Sequence, residues 1–321
     1  MKRRQALTAL ALVAGAAPAY AQSYPSRPVK IIVPAPPGGT ADIFARALAQ
    51  RMQTSMNQAV IVEYKPGAAT NIGTDFVAKS APDGYTVLMN GITLATNPAL
   101  FAKLPFNPAT DLTPIIEVAS MVNVITVHPS LPVNSLAELI QMARQSPGKI
   151  NHGSPGIGSS GHLAGELLAY RTGVQLTHIA YQGLAPATND HVGGTLPLGF
   201  VNLPVAIQFV RAGKLKALAV TSLKRTPQLP DVATVNEALG LKDFELNGWF
   251  GLLAPARTPN DVIARLQAEA DKALRDPAFM EIIRTAGGEP IGGSSADFDA
   301  RIRRDRERLG EVIRSAGIKA Q

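Results

Sequence analysis

The sequence predicts an α/β fold in two domains, and three observations predict it. Short continuous apolar runs alternate with helical periodicity along most of the chain, the pattern of strands layered with helices through right-handed crossovers. A chain of 321 residues, 46% of them hydrophobic, can bury more than one core. Finally, the apolar stretch 115–129 is too long for one ordinary strand, and FELNGWFGLLAPARTP (244–259) runs extended back toward a capped helix. Both read as passages between domains.

The chain opens MKRRQALTALALVAGAAPAYAQSYP. Three cations precede an acid-free apolar run that ends in small residues, which is the form of a cleavable secretory signal. The run is too short to span a bilayer. Cleavage after Ala21 is expected, and it removes Lys2, Arg3 and Arg4, lowering the formal charge from +7 to +4. The Arg3-Arg4 pair leaves twin-arginine export open beside general secretion. There is no cysteine, which excludes disulfides, thiolate metal sites and a thiol nucleophile and suits an oxidising compartment. Export also takes the chain away from the cytoplasmic NAD pool.

VKIIVPA, from Val29, reads as a buried parallel strand. TADIFARALAQRM follows as a helix, with Ile43, Phe44, Ala47, Leu48 and Met52 on one face. AVIVEY from Ala59, YTVLMN from Tyr85 and KALAVTS from Lys216 are further strands, and 136–144, 162–171 and 204–211 have helical periodicity. KINHG is a short strand ahead of a helix that ends at Gly173 as a left-handed C-terminal glycine. Near the second passage, Thr258 is expected as an N-cap, Pro259 as the first helical residue and Asp261 as a favourable first-turn charge. The expected domains are 22–124 plus 247–321, and 125–246, after a leader at 1–21.

Chemistry is expected where strands hand over to helices through glycine. PAPPGGTAD puts Gly38 and Gly39 there, and GSPGIGSSGHLAGELL puts Gly156, Gly158 and Gly161 in G-x-G-x-x-G register. Bare amides and the positive end of a helix dipole then face whatever enters. A dinucleotide site needs an acid about 20 residues after the last glycine; the region reads AYQGLAP and has none. The loops at 65–73, 90–99 and 181–190 have the composition of pocket linings, and apart from Lys65 they hold no Lys or Arg. Such a site binds a carboxylate through amides, hydroxyls and water rather than by ion pairing.

Other chemistries have weaker support. The five histidines, at 128, 152, 162, 178 and 191, show no metal-ligand spacing; His162, at a helix start, is the one placed near a pocket, and a hydrogen-bonded helix-end role is expected for it ahead of a ligand role. No G-x-S-x-G elbow occurs, and Ser159 and Ser160 serve more economically as helix caps than as nucleophiles. The run ARIRRDRERLGEVIR carries an apolar stripe of Phe298, Ile302, Leu309 and Ile313 with Asp305, Glu307 and Glu311 among the cations, so it is expected as a solvated helix face rather than a nucleic-acid site. Trp249 is expected as a buried or hinge-side anchor.

YPSRPVKIIVPAPPGGTADIFARALAQRM, KPGAATNIGTDFVAKSAPDGYTVLM, NPALF, GSSGHLAGELL, YQGLAPATNDHVGG, VRAGKLKALAVTS and GLLAPARTP occur in this order. Together they resemble the Bug family, the periplasmic solute-binding receptors of tripartite tricarboxylate transporters, over essentially the whole chain after the leader. The resemblance implies a type II periplasmic-binding-protein fold, two α/β domains closing like jaws on a small organic acid. It implies a monomer without catalytic residues, cofactor, metal or nucleic-acid partner, which delivers a di- or tricarboxylate or an aromatic carboxylate to membrane transporter subunits. Carried onto this chain, the ligand site comprises Gly38, Gly39, Thr40 and Asp42, Ser159 and Ser160, and Gln182, Gly183 and Ala185, with Thr93 and Asn97 beside them. Asp42 fits a helix-start role better than a contact, because it would repel a carboxylate. There are two departures: His152 in place of an aromatic retunes the pocket edge, and Val201 in place of an acid before Asn202 removes a carboxylate that could meet an amine, which points away from amino-acid ligands. A sensor read by a membrane signalling partner, or an exported serine hydrolase, is the alternative.

Overall fold

The computed structural model describes residues 24–315, 317 and 318; the leader expected at 1–21 lies outside them. Two mixed sheets form. The first holds β1 (Val29–Val33), β2 (Val60–Tyr64), β3 (Thr86–Gly91), β4 (Leu112–Met121), β10 (Gly248–Pro255) and β11 (Gly288–Gly292), in the order β11-β4-β10-β3-β1-β2. The second holds β5 (Asn123–Val127), β6 (Asn151–Ser154), β7 (Thr177–Ala180), β8 (Leu198–Asn202) and β9 (Lys216–Val220), in the order β7-β6-β8-β5-β9.

Helices fill the connections. In chain order they are α1 (Thr40–Met56), α2 (Asn71–Ala78), α3 (Thr93–Leu100), α4 (Leu136–Gln145), α5 (Ser160–Thr172), α6 (Leu184–Val192), α7 (Leu203–Arg211), α8 (Val235–Leu239), α9 (Asn260–Leu274), α10 (Pro277–Thr285) and α11 (Ser295–Ser315). β1 pairs in parallel with β2 and β3, and β6 with β7 and β8. These are the strands joined through helices. By contrast β5 runs antiparallel to β8 and β9, and β10 antiparallel to β3 and β4. Both lie next to the two places where the chain passes between sheets, and a strand arriving from the other sheet need not share the direction that a βαβ crossover imposes.

The first passage is Val122, between β4 and β5, and the second runs from Leu246 into β10. Asn123 ties them together: it is fully buried, its Nδ2 donates to Leu246 O at 3.0 Å, and the Leu246 amide donates to Thr221 O at 3.0 Å. One apolar core runs from Ile32 and Leu88 of the first sheet through Leu100 and Trp249 to Ile125 and Phe200 of the second. A second core fills the other face of the first sheet, around Phe44, Leu48, Met52 and Ile116.

Four details of the sequence reading are corrected. Ile43 is 40% exposed while Phe44, Leu48 and Met52 are buried, because the helix turns its Ala41–Phe44–Leu48 line inward. α9 has Pro259 as its N-cap without a side-chain bond, and Thr258 Oγ1 donates to Pro255 O at 2.8 Å. The segments read as loops at 90–99 and 181–190 are largely helical, forming α3 and α6, and 71–73 opens α2; packing of α3 on α11 and of α6 on β6 and β8 overrides their loop-like composition. On α11 the stripe of Phe298, Ile302, Leu309 and Ile313 is buried as expected, but so is Asp305 at 1% exposure. Its Oδ2 accepts Trp249 Nε1 at 3.0 Å and Arg301 Nε at 2.8 Å. Burial of four large apolar side chains stabilises this docking by about 1.5–3 kcal/mol each, against about 0.3–0.5 kcal/mol for an exposed pair such as Arg303–Asp299.

Candidate functional site

The residues singled out in the sequence follow β1, β3, β6 and β7, each of which pairs in parallel with a neighbour, and they lie in or beside the connecting loops or, for Thr93 and Asn97, on α3. After Val33 the prolines at 34, 36 and 37 have no N–H with which to continue a ladder. Gly38 turns the chain at φ +87°, a conformation that costs a residue bearing a Cβ roughly 1–2 kcal/mol. Gly39 is the extended N-cap of α1 and offers no side-chain acceptor. The first-turn amides at Thr40 and Ala41 therefore lack a capping partner, and the positive dipole end stays open. A Cβ on Gly39 would meet nothing nearer than Pro36 O at 3.9 Å, so the space before it is clear.

Asp42 is a brace within this loop. Its Oδ2 accepts the Gly38 amide at 2.8 Å, and its Oδ1 accepts Arg46 Nε and Tyr64 OH, both at 2.6 Å. Burial alone would raise its pKa, but the hydrogen bonds from Tyr64, Gly38 and Arg46 outweigh burial and lower it. The carboxylate thus holds the loop and consumes the Gly38 amide. It also stations Arg46, a cation that the loop compositions did not reveal, at the head of α1.

Thr93 and Asn97 lie on α3 and face the 68–71 segment. Asn97 Nδ2 donates to Ala69 O and to Asn71 Oδ1, both at 2.8 Å, and the Thr93 and Thr70 hydroxyls are 2.9 Å apart. These contacts hold Ala68, Ala69 and Thr70 in the left-handed region, at φ 47°, 50° and 76°. Three such residues in succession cost of order 1–3 kcal/mol each. No glycine marks these three positions, so the sequence carried no signal of the strain. Lys65, the one cation in the loop compositions, is laid over the Phe76 ring at 4.1 Å.

In the second sheet, β6 leads into a loop in which Gly156 and Gly158 have φ +144° and +79°. Ser159 is the N-cap of α5: its Oγ accepts the His162 amide at 3.3 Å and donates to Gly156 O at 2.7 Å. That leaves the Ser160 and Gly161 amides as the uncapped donors of the first turn. A Cβ on Gly161 would fall 2.6 Å from Phe200 O, so this glycine lets α5 close onto β8. The G-x-G-x-x-G register therefore reflects tight turning and close helix–strand packing, which serve a dinucleotide loop and this one alike. The β7–α6 loop joins it, with Gly183 donating to Pro155 O at 3.0 Å at φ +118° and giving α6 no side-chain cap. Gln182 and Ala185 flank that N-cap.

Ser160 Oγ donates to Asn123 Oδ1 at 3.2 Å, and that same oxygen accepts Asn202 Nδ2 at 3.0 Å. Ser159 is committed to capping, so neither serine is paired with a base that would make it a nucleophile. No group of three or more His, Asp or Glu side chains able to hold a metal occurs among the described residues. Across the two sheets, Thr96 Oγ1 of α3 donates to Gly158 O at 3.3 Å, joining the 65–73, 90–99 and 153–161 segments. Gly73, whose Cβ would lie 2.8 Å from Lys65 O and from Pro34, links the Gly38–Gly39 loop to the same group. Asn123, Asn71, Thr70 and Thr96 were not singled out in the sequence. They are ordinary polar residues whose importance comes from which other segments they reach.

Comparison with known proteins follows the same outline. A family model described as "Tripartite tricarboxylate transporter family receptor" matches residues 44–318. Protein BugT of Bordetella pertussis is 36% identical over 306 residues, 95% of this chain and 94% of that protein. Among solved structures, Rpa4515 of R. palustris with adipate superposes with TM-score 0.84 at 36% identity, over 92% of this chain and 99% of that one. MatC (Rpa3494) of Rhodopseudomonas palustris with bound malate superposes with TM-score 0.82 at 28% identity, over 90% of this chain and 100% of that one.

Proposed function

The chain belongs to the tripartite tricarboxylate transporter receptor family, and from that premise we propose that it captures a small organic carboxylate between its two sheets and delivers it to membrane transporter subunits. The family is one of periplasmic solute-binding proteins rather than enzymes. Export through the leader at 1–21 and action as a monomer are parts of the same proposal. Dicarboxylates spanning malate to adipate are the first candidates, since relatives have been seen with these two ligands.

One observation carries the reading: α1 and α5, from different sheets, both start with first-turn amides that no side chain caps, at Thr40 and Ala41 and at Ser160 and Gly161. Such amides suit a carboxylate at each end of a ligand. Gly183 and Ala185 would supply a third edge from α6, and Gln182 a polar side chain beside it. Thr93 and Asn97 act through the strained 68–70 segment. Capture then follows from domain closure, stabilised only as far as the ligand binds the closed form better than the open one.

The test is a thermal-melt screen of the mature protein against malate, adipate, citrate, acidic amino acids, nicotinate and other aromatic carboxylates. A true ligand at about 100 times its Kd adds about 2.7 kcal/mol of stability, a clear rise in midpoint. No response from a folded protein to any carboxylate overturns the reading. A response to the amino acids alone overturns the preference for plain carboxylates drawn from Val201.

A further inference from the structure

Behind the 156–160 loop, three histidines from three elements meet. His152 and His178 are partners in the parallel β6–β7 ladder and so share a face of the sheet, with ring centroids 5.0 Å apart. His162 of α5 lies flat on His178, centroids 3.8 Å apart and planes 22° from parallel. The helix comes this near because position 165 is glycine, where a Cβ would sit 2.4 Å from the His152 ring. His152 is wholly buried, and neither of its ring nitrogens has a hydrogen-bond partner.

The polar contacts of this stack run to the loop. His162 Nδ1 accepts the Gly158 amide at 3.1 Å, so its ring is neutral and its proton is on Nε2. That nitrogen points toward Glu166 Oε1 at 3.7 Å, and His152 Nε2 is 3.9 Å from the same oxygen, both too long for hydrogen bonds. A protonated Nε2 cannot ligate a metal. His178 Nε2 is 2.7 Å from Ser154 Oγ, which accepts the Gly156 amide at 3.2 Å. Two glycines of the loop are therefore held by histidine, one directly and one through a serine.

The titratable groups facing His162 are His178 from β7, His152 from β6 and Glu166 from its own helix; β8 contributes Phe200, which packs edge-on against His152. His191 of α6 lies on the opposite face, against Gly199. No cation or ionised acid within hydrogen-bond reach stabilises a charged imidazole here. Burial, with His178 adding to it, pushes His162 down to about 3; burial pushes His178 down to about 4 and His152 well below its usual value.

We propose that His162 is a positioning residue for ligand capture: as a neutral acceptor it fixes the Gly158 peptide, and so aims the Ser160 and Gly161 amides at the ligand and the Gly158 carbonyl at Thr96. The inference rests on the carboxylate-receptor reading for its purpose, but its geometry can be tested with no ligand present. Burial first, and His178 stacked on its ring second, keep His162 uncharged.

The experiment is nitrogen-15 NMR of the histidine rings between pH 7.5 and 5, with amide hydrogen exchange at Gly158. The expected result is a neutral His162 with its proton on Nε2 throughout, where an ordinary histidine would titrate near 6.5. A His162 that protonates above pH 5.5, or that carries its proton on Nδ1, overturns the proposal. His162→Leu is expected to speed Gly158 exchange at least tenfold, and His162→Asn, which restores an acceptor, to bring it back; unchanged exchange in folded His162→Leu also overturns it. A carboxylate screen with no response would defeat the receptor reading and leave these results as they stand.

Discussion

Gly39 is the residue on which ligand capture can be tested most cleanly. Its backbone is extended, at φ −84°, and its missing side chain would face open space, so Gly39→Val is expected to fold normally and to lose carboxylate binding. Undiminished affinity in a titration of this variant would remove α1 from the site. Glu117 offers a second test, on stability. It is 6% exposed and its Oε1 has no hydrogen-bond partner; burial pushes it up to about 7, against the opposing pull of Arg301. Because the folded state holds this proton more tightly than the unfolded one, the stability it contributes is present below about 4.5 and is lost as pH rises through about 7. The buried histidines work the other way, since the unfolded chain takes up their protons first, and their contribution is lost as pH falls below 6.5. Glu117→Gln leaves the histidines in place. Its unfolding free energy is expected to gain on the wild type between pH 5 and pH 8, by up to about 3 kcal/mol; parallel pH profiles in denaturant titrations would refute the assignment. Asp42 shows how far a single residue was legible. Its helix-start role could be argued from like-charge repulsion, but its bonds to Tyr64 and Arg46 depend on how β2 and α1 meet.

At the scale of elements, α5 shows what decides a helix's place. Its sequence alone gives a serine cap at 159 or 160 and the Gly173 end; the structure selects Ser159, and Gly173 is present at φ +67°. Its position against the sheet depends on Gly161 and Gly165, which admit Phe200 O and the His152 ring. Gly165→Ala is expected to destabilise the protein by about 1–3 kcal/mol, measured by denaturant unfolding. His152→Ala should relieve much of that cost in the double variant, since the two residues share one space. Additive effects would show that the ring is not what excludes the methyl group. α11 teaches the complementary lesson: periodicity found its apolar stripe, yet counted Asp305 with the solvated face because a carboxylate's partner on β10 is 56 positions away.

For the whole molecule, the informative contacts are those that cross between sheets. Thr96 Oγ1 reaches Gly158 O, while Asn123 joins both chain passages to Ser160. If capture works by closure, a bond made only in the closed form adds directly to affinity. Thr96→Val is expected to weaken carboxylate binding about two- to tenfold, the worth of one neutral hydrogen bond, with the apo melting midpoint little changed. An apo midpoint that falls as much as the liganded one would mean the bond belongs to the unliganded fold as well.

The sequence by itself determined the α/β class, the glycine-opened start of α1 at Gly39, a serine cap at 159 or 160 for α5 and the apolar face of α11. All of these are fixed by backbone preferences and by periodicity within a few residues. Only the tertiary structure decided that β5 and β10 run antiparallel, that Ala68, Ala69 and Thr70 are strained, that Asp305 is buried and that His152, His162 and His178 stack behind the 156–160 loop. Each of these depends on contacts between segments far apart in the chain, and spacing along a sequence does not record which of its distant residues will be made neighbours by packing.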